Sequence, residues 1–184
     1  MDIGASSYRL YLEGDEGAFE AIVKEYRDPL TFFINGYVRD IFAAEDIAID
    51  VFAYVAVNTR RYNFSVSFKT YLFMLGRSRA IDYIRRRKRS GTVSLDTATE
   101  ITDGESVEER YLRDEKYKKL YLALDRLPEK MRTAVYLIYF EELSYTEAAK
   151  VMKMNKKQID NLLYRAKAML RNVLGEEGSL NERS

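Results

Sequence analysis

Two short stretches near the carboxyl end decide the fold: Ser144-Tyr145-Thr146-Glu147 and, eleven residues further on, Asn155-Lys156-Lys157-Gln158. In each, a residue that caps helices is followed three positions later by Glu or Gln. Such a pair can bond reciprocally to the backbone amides of a helix start. Between the end of the first helix and the second capping residue, only Lys153 and Met154 are left to turn the chain. This spacing predicts a helix-turn-helix.

The second helix of this motif has an apolar side and a polar side. At 100° per residue its apolar stripe contains Ile159, Leu163, Ala166, Leu170 and Val173. Lys157, Asn161 and Tyr164 project from the opposite side, where Asn can pair with adenine and Lys with guanine in a major groove. Three further cations could hold phosphates, namely Lys153, Lys156 and Arg165. A charged solvent face on a packing helix is the other interpretation of this pattern.

Helical spacing also runs through the first half of the chain, which contains one of the only two prolines among the 184 residues. From Asp15 to Arg89 we expect a helical bundle. Its predicted parts are a first helix with Phe19 to Tyr26 on one face, a second opening at Leu30, a third over 43–59, a loop over 61–67 and a fourth helix over 68–89. We therefore predict an all-α protein.

The segment after Ser90 lacks apolar periodicity and contains Gly, Ser, Thr and several acids, a composition typical of a flexible linker. We predict two small helical domains, 1–90 and 111–175, joined by an acidic linker over 91–110 and followed by a polar tail over 176–184. The second domain should contain helices over 111–127, 129–141, 145–152 and 156–174.

The net charge of +1 is a sum of large opposed contributions along the chain. Residues 1–59 carry 4 basic and 11 acidic side chains, whereas residues 60–90 carry 10 basic and 1 acidic. A second basic stretch, residues 150–171, carries 7 basic and 1 acidic side chains. Two separate positive surfaces indicate two contacts with a polyanion such as DNA.

The composition also argues against several other classes of function. The chain has no cysteine and no histidine, so disulfides and thiolate metal sites are impossible and the most frequent general base is missing. The start lacks a signal-peptide pattern and no run of eighteen apolar residues occurs. We expect a cytoplasmic protein that neither enters the membrane nor uses a catalytic residue, a metal or a cofactor.

Three groups of motifs, in order along the chain, resemble the regions shared by extracytoplasmic-function (ECF) sigma factors, which are bacterial transcription initiation factors of the sigma-70 family. The first is Ala44-Glu45-Asp46-Ile47-Ala48-Ile49-Asp50-Val51-Phe52, which looks like the region 2 helix that docks on the polymerase clamp. Asp46 and Asp50 share one helix face because they lie four residues apart. The resemblance implies that these two residues and Glu45 bind core RNA polymerase. A solvated acidic face is the alternative.

The second group runs from Ser67-Phe68-Lys69-Thr70-Tyr71-Leu72 through Arg77-Ser78-Arg79-Ala80-Ile81-Asp82 to the basic run 85–89. It is similar to the family's helix for the −10 element and strand opening. An unstacked base could be held by the loop residues Asn63 and Phe64, and phosphates by Arg77, Arg85 and Arg86. For Phe68 and Tyr71 we favour core packing over base contact.

The third group resembles region 4, which in the family binds the −35 element and the polymerase flap. It consists of Leu124-Asp125-Arg126-Leu127-Pro128-Glu129-Lys130-Met131-Arg132 and Phe140-Glu141-Glu142-Leu143-Ser144-Tyr145-Thr146-Glu147-Ala148-Ala149, with Pro128 at a helix start. The recognition helix departs from the family's usual residues at 160–162, so the −35 sequence cannot be carried over. Lys153 stands where the family often has Gly. The family resemblance also implies an anti-sigma partner.

Two alternatives remain open from the sequence alone. One is a helix-turn-helix regulator that does not bind the polymerase, although the acidic face at Asp46 and Asp50 has no purpose in that case. The other is an enzyme of nucleic acids that holds magnesium through clustered carboxylates. Asp46 and Asp50 lie on one predicted helix and Asp82 on another, with no phosphate-binding loop nearby, which argues against the enzyme.

Overall fold

A computed structural model describes residues 2–90 and 124–181, with the backbone alone described for residues 172–181. Backbone contacts divide the chain into two units, Met1–Gly104 and Glu105–Ser184. Within the described residues the regular elements are all helical, as predicted. The predicted linker over 91–110 and most of the predicted helix over 111–127 lie outside the described residues. The domain boundaries that we drew from the sequence stay predictions.

The described part of the first unit contains four α-helices, each begun by a side chain that caps it. They are α1 (Ile3–Leu12), α2 (Glu16–Val38), α3 (Ile41–Val57) and α4 (Phe68–Arg89). The side chains of Asp2, Asp15, Asp40 and Ser67 accept hydrogen bonds from the third amide of these helices at 3.0–3.3 Å. A 3-10 turn, Thr59–Arg61, precedes the loop before α4.

The core of this unit is formed where α2 packs against α1, α3 and α4. Its largest fully buried side chains are Tyr8, Ile22, Leu30, Ile34, Val51, Val55, Phe68, Leu72 and Phe73. Gly76 of α4 lets this helix approach α2 closely, because a Cβ atom there would lie 2.8 Å from Leu30 Cδ1.

Two expectations for this unit were wrong. α1 lies ahead of Asp15, where the helical pattern was expected to begin. The first two predicted helices form one, because α2 continues through Pro29. A proline inside a helix costs about 3 kcal/mol. The proline is followed by three core residues that are at most 3% exposed, Leu30, Phe33 and Ile34. Burial of each such side chain contributes about 1.5–3 kcal/mol. Burial outweighs the missing backbone bond.

The described part of the second unit contains α5 (Glu129–Val135), a π-helical turn (Tyr136–Phe140), α6 (Tyr145–Met152) and α7 (Lys156–Asn181). Pro128 immediately precedes α5, as the sequence indicated. The predicted helix over 129–141 changes to π geometry in its second half, where Glu141 N donates to Tyr136 O at 3.1 Å. α5 and α6 both pack on α7.

α7 ends at Asn181, seven residues later than the predicted Leu174, so the predicted polar tail over 176–184 is helical in its backbone as far as residue 181. The predicted helix ended just before Gly175. A single glycine inside a helix costs only about 1 kcal/mol relative to alanine. No proline follows it to end the helix.

Candidate functional site

The first candidate surface is the acidic face of α3, formed by Asp46 and Asp50. Both side chains are exposed and lie one helical turn apart, as predicted. They border a groove of about 450 Å³ between α3 and α4, whose other lining residues include Phe42, Arg79, Tyr83 and Arg86. The groove therefore has an acidic wall from α3 and a basic wall from α4. Glu45 is half-buried and does not line it.

Arg86 lies in this groove, beside the acids, and not with the loop before α4. Arg79, which the sequence did not single out, lines the same groove, and its guanidinium carbon lies 5.1 Å from the centre of the Tyr54 ring. The two arginines are seven residues apart and so share a helix face. Arg77 lies nine residues before Arg86 and points to the opposite side of α4 by the same rule. The basic residues of α4 thus serve two different surfaces.

The second candidate surface is the loop before α4. Asn63 is exposed, and its side-chain oxygen accepts a hydrogen bond from Ser65 N at 3.1 Å. Phe64 has a left-handed backbone (φ 59°) and a half-buried ring. Tyr62 is 4% exposed and donates its hydroxyl to Val66 O at 2.8 Å, which closes the loop on itself. The loop therefore presents Asn63 outward while Phe64 packs inward.

An aromatic cluster lies beneath this loop. Tyr62 is its centre, with ring centroids of Phe64, Tyr71, Phe68 and Tyr8 at 4.5, 5.0, 5.2 and 5.6 Å. Phe68 is fully buried, so its assignment to the core is confirmed. Tyr71 is half-buried and stacks on Tyr62 with an angle of 27° between the rings.

Burial changes the acidity of the tyrosines in this cluster. It raises the pKa of Tyr8 and of Tyr62 from 10.0 to about 12, because a buried phenolate loses its hydration. The pKa of Tyr71 is also raised, first by burial and then by the charge of Tyr54. All three hydroxyls stay protonated at neutral pH, and those of Tyr8 and Tyr62 donate hydrogen bonds within the unit.

The end of α4 is basic and exposed. Arg85 lies 3.7 Å from Asp82, with 70% and 52% of the two side chains exposed. Ion pairs as exposed as this one contribute little to stability. Arg85 can therefore exchange Asp82 for a phosphate at small cost.

The third candidate surface is the exposed side of α7. Both predicted capping boxes are confirmed: Glu147 N donates to Ser144 Oγ at 3.2 Å, and Ser144 N to Glu147 Oε2 at 2.9 Å. Asn155 and Gln158 repeat the arrangement at 2.8 and 2.9 Å. Lys153 between them is left-handed (φ 54°, ψ 47°), at a cost of about 1–2 kcal/mol for a residue other than glycine.

The faces of α7 follow the prediction as far as its side chains are described. Ile159, Leu163 and Ala166 are at most 2% exposed. The predicted contacts with bases and phosphates are all exposed, namely Lys153, Lys156, Lys157, Asn161, Tyr164 and Arg165. Tyr164 is 78% exposed. Lys157, Asn161 and Tyr164 thus form the exposed face that the sequence predicts to read DNA, called here the reading face of α7.

Lys167 is a cation of α7 that faces a different neighbour. Its ammonium lies 5.5 Å from the centre of the Tyr139 ring in the π-helical turn. A hydrogen bond from Lys167 to Tyr139, followed by the charge of that tyrosine, raises the pKa of the lysine.

Two further findings concern metal binding and membrane insertion. No group of three acidic side chains that could hold a metal ion occurs among residues 2–90 and 124–171. In the described parts of the chain, none of the helices combines the length and the apolar character that crossing a membrane requires.

Comparison with known proteins identifies the family. Residues 22–90 match the family model described as Sigma-70 region 2, and residues 117–170 match that of Sigma-70, region 4. The RNA polymerase sigma-H factor of Pseudomonas aeruginosa is 30% identical over 172 residues, covering 88% of each chain. The ECF RNA polymerase sigma factor SigW of Bacillus subtilis is 28% identical over 171 residues, covering 88% of this chain and 91% of the relative.

Solved structures agree in fold. The sigma factor RpoE of Bartonella quintana, in complex with the anti-sigma factor NepR, aligns with a TM-score of 0.64 and 21% identity, covering 85% of this chain and 96% of that one. CnrH in complex with the cytosolic domain of CnrY aligns with a TM-score of 0.62 and 17% identity, covering 95% and 96% of the two chains.

A helical protein with matches to both regions, in this order, is a transcription initiation factor and not a regulator that works apart from the polymerase. The chain belongs to the ECF group of the sigma-70 family of RNA polymerase sigma factors.

Proposed function

We propose that this sigma factor uses the acidic face of α3 to bind core RNA polymerase. Asp46 and Asp50 are exposed on a helix whose opposite side is buried through Ile47, Val51 and Val55, so the helix is held rigidly with its acids outward. Two exposed acids favour a basic partner by charge complementarity. Because the helix is already held in place, little conformational freedom is lost when the partner binds. Glu45 would contribute at the edge of this contact.

DNA recognition is assigned to the other two surfaces. The observation that carries this proposal is the reading face of α7, where Lys157, Asn161 and Tyr164 stand exposed opposite a buried stripe. This face would read the −35 element, with Lys153, Lys156 and Arg165 on phosphates. In the first unit, Asn63 and Phe64 would hold a base of the −10 element, and Arg77 and Arg85 would contact backbone phosphates. Arg86, the third phosphate contact that the sequence predicts, lines the groove with Asp46 and Asp50 and would reach a phosphate from that side of α4.

The remaining assignments follow from this role. The domains would be 1–90 for polymerase and the −10 element and 111–175 for the −35 element and the polymerase flap. The relatives known in complex with anti-sigma factors support an anti-sigma partner that covers one of these surfaces. The chain would act in the cytoplasm, where it meets polymerase and DNA, and it would bind without catalysing a reaction or using a cofactor.

The experiment that tests this function is run-off transcription with purified core polymerase, the full-length chain and a library of templates randomised over two six-base elements. Promoter-specific transcripts that depend on the added chain are the expected result. Selected templates should share one sequence near −10 and another near −35. Transcripts that start without preference for either element would contradict the assignment of both DNA surfaces.

A further inference from the structure

α1 contacts the end of α3, the helix that leads into the loop 62–67. The Tyr8 hydroxyl donates to Val55 O at 3.1 Å and has Thr59 O at 3.5 Å, and the Tyr11 hydroxyl donates to Ala56 O at 3.2 Å. The last carbonyls of a helix lack partners within it. α1 therefore completes the end of α3 and fixes the point at which the chain leaves it.

The start of α4, on the other side of the loop, is also tied to α1. The Asp2 carboxylate accepts from Ala5 N at 3.0 Å, which caps α1, and from Phe68 N at 2.7 Å, which is the first amide of α4. One carboxylate thus caps two helices, and a charged acceptor makes both bonds stronger than neutral ones. Both ends of the loop are held by the same ten-residue helix.

Between these ends, Arg9 of α1 covers the strained residue of the loop. Its guanidinium carbon lies 4.8 Å from the centre of the Phe64 ring, within the range of a cation–π contact. Phe64 has a positive φ of 59°, which a side chain of this size rarely adopts and which persists only when its surroundings hold it. Tyr62 packs on another part of the Phe64 ring, at 4.5 Å between centroids. Arg9 itself is exposed.

We propose that Arg9 is a positioning residue for recognition of the −10 element: its stacking on Phe64 selects the left-handed backbone that presents Asn63 to DNA. The inference rests on the proposed role of the loop in reading a base. Arg9 acts through Phe64 and touches no base. Without it, the loop samples other backbone conformations, and its preference for one base over another falls.

The test measures base discrimination by the full-length chain with core polymerase. Run-off transcription is compared between the −10 sequence that the wild type selects and templates with single-base substitutions in it. Arg9→Met keeps the length of the side chain but removes the cation, and discrimination should fall by about two- to fivefold at the base held by the loop. Arg9→Lys should restore part of it. Lys24→Met, which removes an exposed cation from α2, is the matched control and should leave discrimination unchanged.

A double-mutant cycle shows whether Arg9 works through Phe64. Phe64→Leu alone should lower discrimination, and adding Arg9→Met to it should lower discrimination no further. Thermal unfolding and the salt dependence of promoter binding should match the wild type for Arg9→Met, because the side chain is exposed and releases no counterion from DNA.

Three results separate the possibilities. Unchanged discrimination in Arg9→Met overturns the inference. An equal loss on every template, with a smaller salt slope, also overturns it, because Arg9 would then contact a phosphate directly. If the wild type itself shows no preference at any −10 position while it still initiates at the −35 element, the proposed role of the loop fails, and the inference fails with it.

Discussion

Asn161 and Arg85 are both exposed side chains, but their hydrogen-bonding groups suit different parts of DNA. The Asn161 amide offers one acceptor and two donors, and can match the edge of an adenine in a groove. The Arg85 guanidinium, at the end of α4 and close to Asp82, offers donors alone and suits a phosphate. A base contact carries sequence information, whereas a phosphate contact carries affinity.

Alanine substitutions should therefore separate the two roles. Asn161→Ala should weaken binding to the selected −35 sequence by about 1–3 kcal/mol and have little effect on random DNA. Arg85→Ala should weaken binding to all sequences and lower the slope of log affinity against log salt by about one unit. Fluorescence anisotropy with the full-length chain, on selected and random duplexes over a salt series, measures both quantities. Equal loss on both duplexes for Asn161→Ala would remove this residue from the reading face.

The buried tyrosines make a second prediction at this scale. The pKa of Tyr8 and of Tyr62 is about 12 in the folded chain and about 10 when unfolded. Their contribution to stability is therefore complete below about pH 10 and is lost as pH rises from about 10 toward about 12. We expect the unfolding temperature of the first unit to fall steeply in this interval, by the equivalent of a few kcal/mol. Tyr164→Phe, at an exposed tyrosine, is the control and should not change this fall. A stability that stays flat up to about pH 11.5 would contradict the burial of these hydroxyls.

Single residues were predictable from the sequence where local periodicity governs their position. The reading face of α7 and the exposed acids of α3 were predictable from the 100° rotation per residue of a helix, once the capping pairs had marked where α7 begins. Arg9 was not predictable in this way, because its contact with Phe64 joins positions 55 residues apart in the sequence. The same holds for Arg86, whose place beside Asp46 depends on how α4 packs against α3.

α1 packs closely on the core of the first unit at Gly4. Gly4 faces the first unit's core, and a Cβ atom there would lie 2.7 Å from Tyr26 Oη and 3.1 Å from Phe68 Cβ. These neighbours cannot both move away, because Phe68 is fully buried. Glycine is needed here for the approach of the backbone and not for an unusual backbone angle.

Gly4→Ala should therefore destabilise the first unit. Overpacking costs about 1–3 kcal/mol, and the better helix propensity of alanine returns about 1, so a net loss of up to about 2 kcal/mol is expected. Gly36→Ala in α2 is the matched control, since its added Cβ would meet nothing within 4 Å. That variant should be neutral or up to about 1 kcal/mol more stable. Urea denaturation followed by circular dichroism compares the two variants, and a Gly4→Ala chain as stable as Gly36→Ala would contradict the packing of α1.

Helical structure was predictable over most of the described chain, but α1 was missed and several helix ends were misplaced. α4 has the predicted bounds, because Ser67 is a clear cap and a basic last turn precedes Ser90. The continuation of α2 through Pro29 and of α7 through Gly175 was missed, since both residues ordinarily end helices. Core burial overrides the first signal, and the second is a small propensity term that no proline reinforces.

On the scale of the whole molecule, the alternation of charge along the sequence corresponds to distinct surfaces. The acidic first 59 residues include the exposed acids of α3. The basic stretches 60–90 and 150–171 include the cations of α4 and the exposed cations of α7. A nearly neutral total is thus compatible with one surface for a basic protein partner and two for DNA. The blocks of charge were visible in the sequence, whereas the position of Arg79 and Arg86 beside Asp46 and Asp50 depends on the packing of α4 against α3.

Capture of core polymerase by the immobilised full-length chain shows whether the acidic face of α3 binds the polymerase. Asp46→Arg with Asp50→Arg replaces two attractive contacts by repulsive ones, which costs several kcal/mol at an interface, so the dissociation constant should rise about 100-fold or more. Asp46→Asn with Asp50→Asn removes the negative charges without placing new positive charges beside Arg79 and Arg86. This variant should therefore weaken capture less than the double arginine variant does.

The matched control is Glu20→Arg with Glu25→Arg, which makes the same change in net charge at two exposed positions of α2. Circular dichroism verifies that every variant is folded. We expect the control to capture core polymerase like the wild type and the variant reversed at Asp46 and Asp50 not to capture it. If both variants bind like the wild type, or both lose binding equally, the acidic face of α3 is not the polymerase-binding surface.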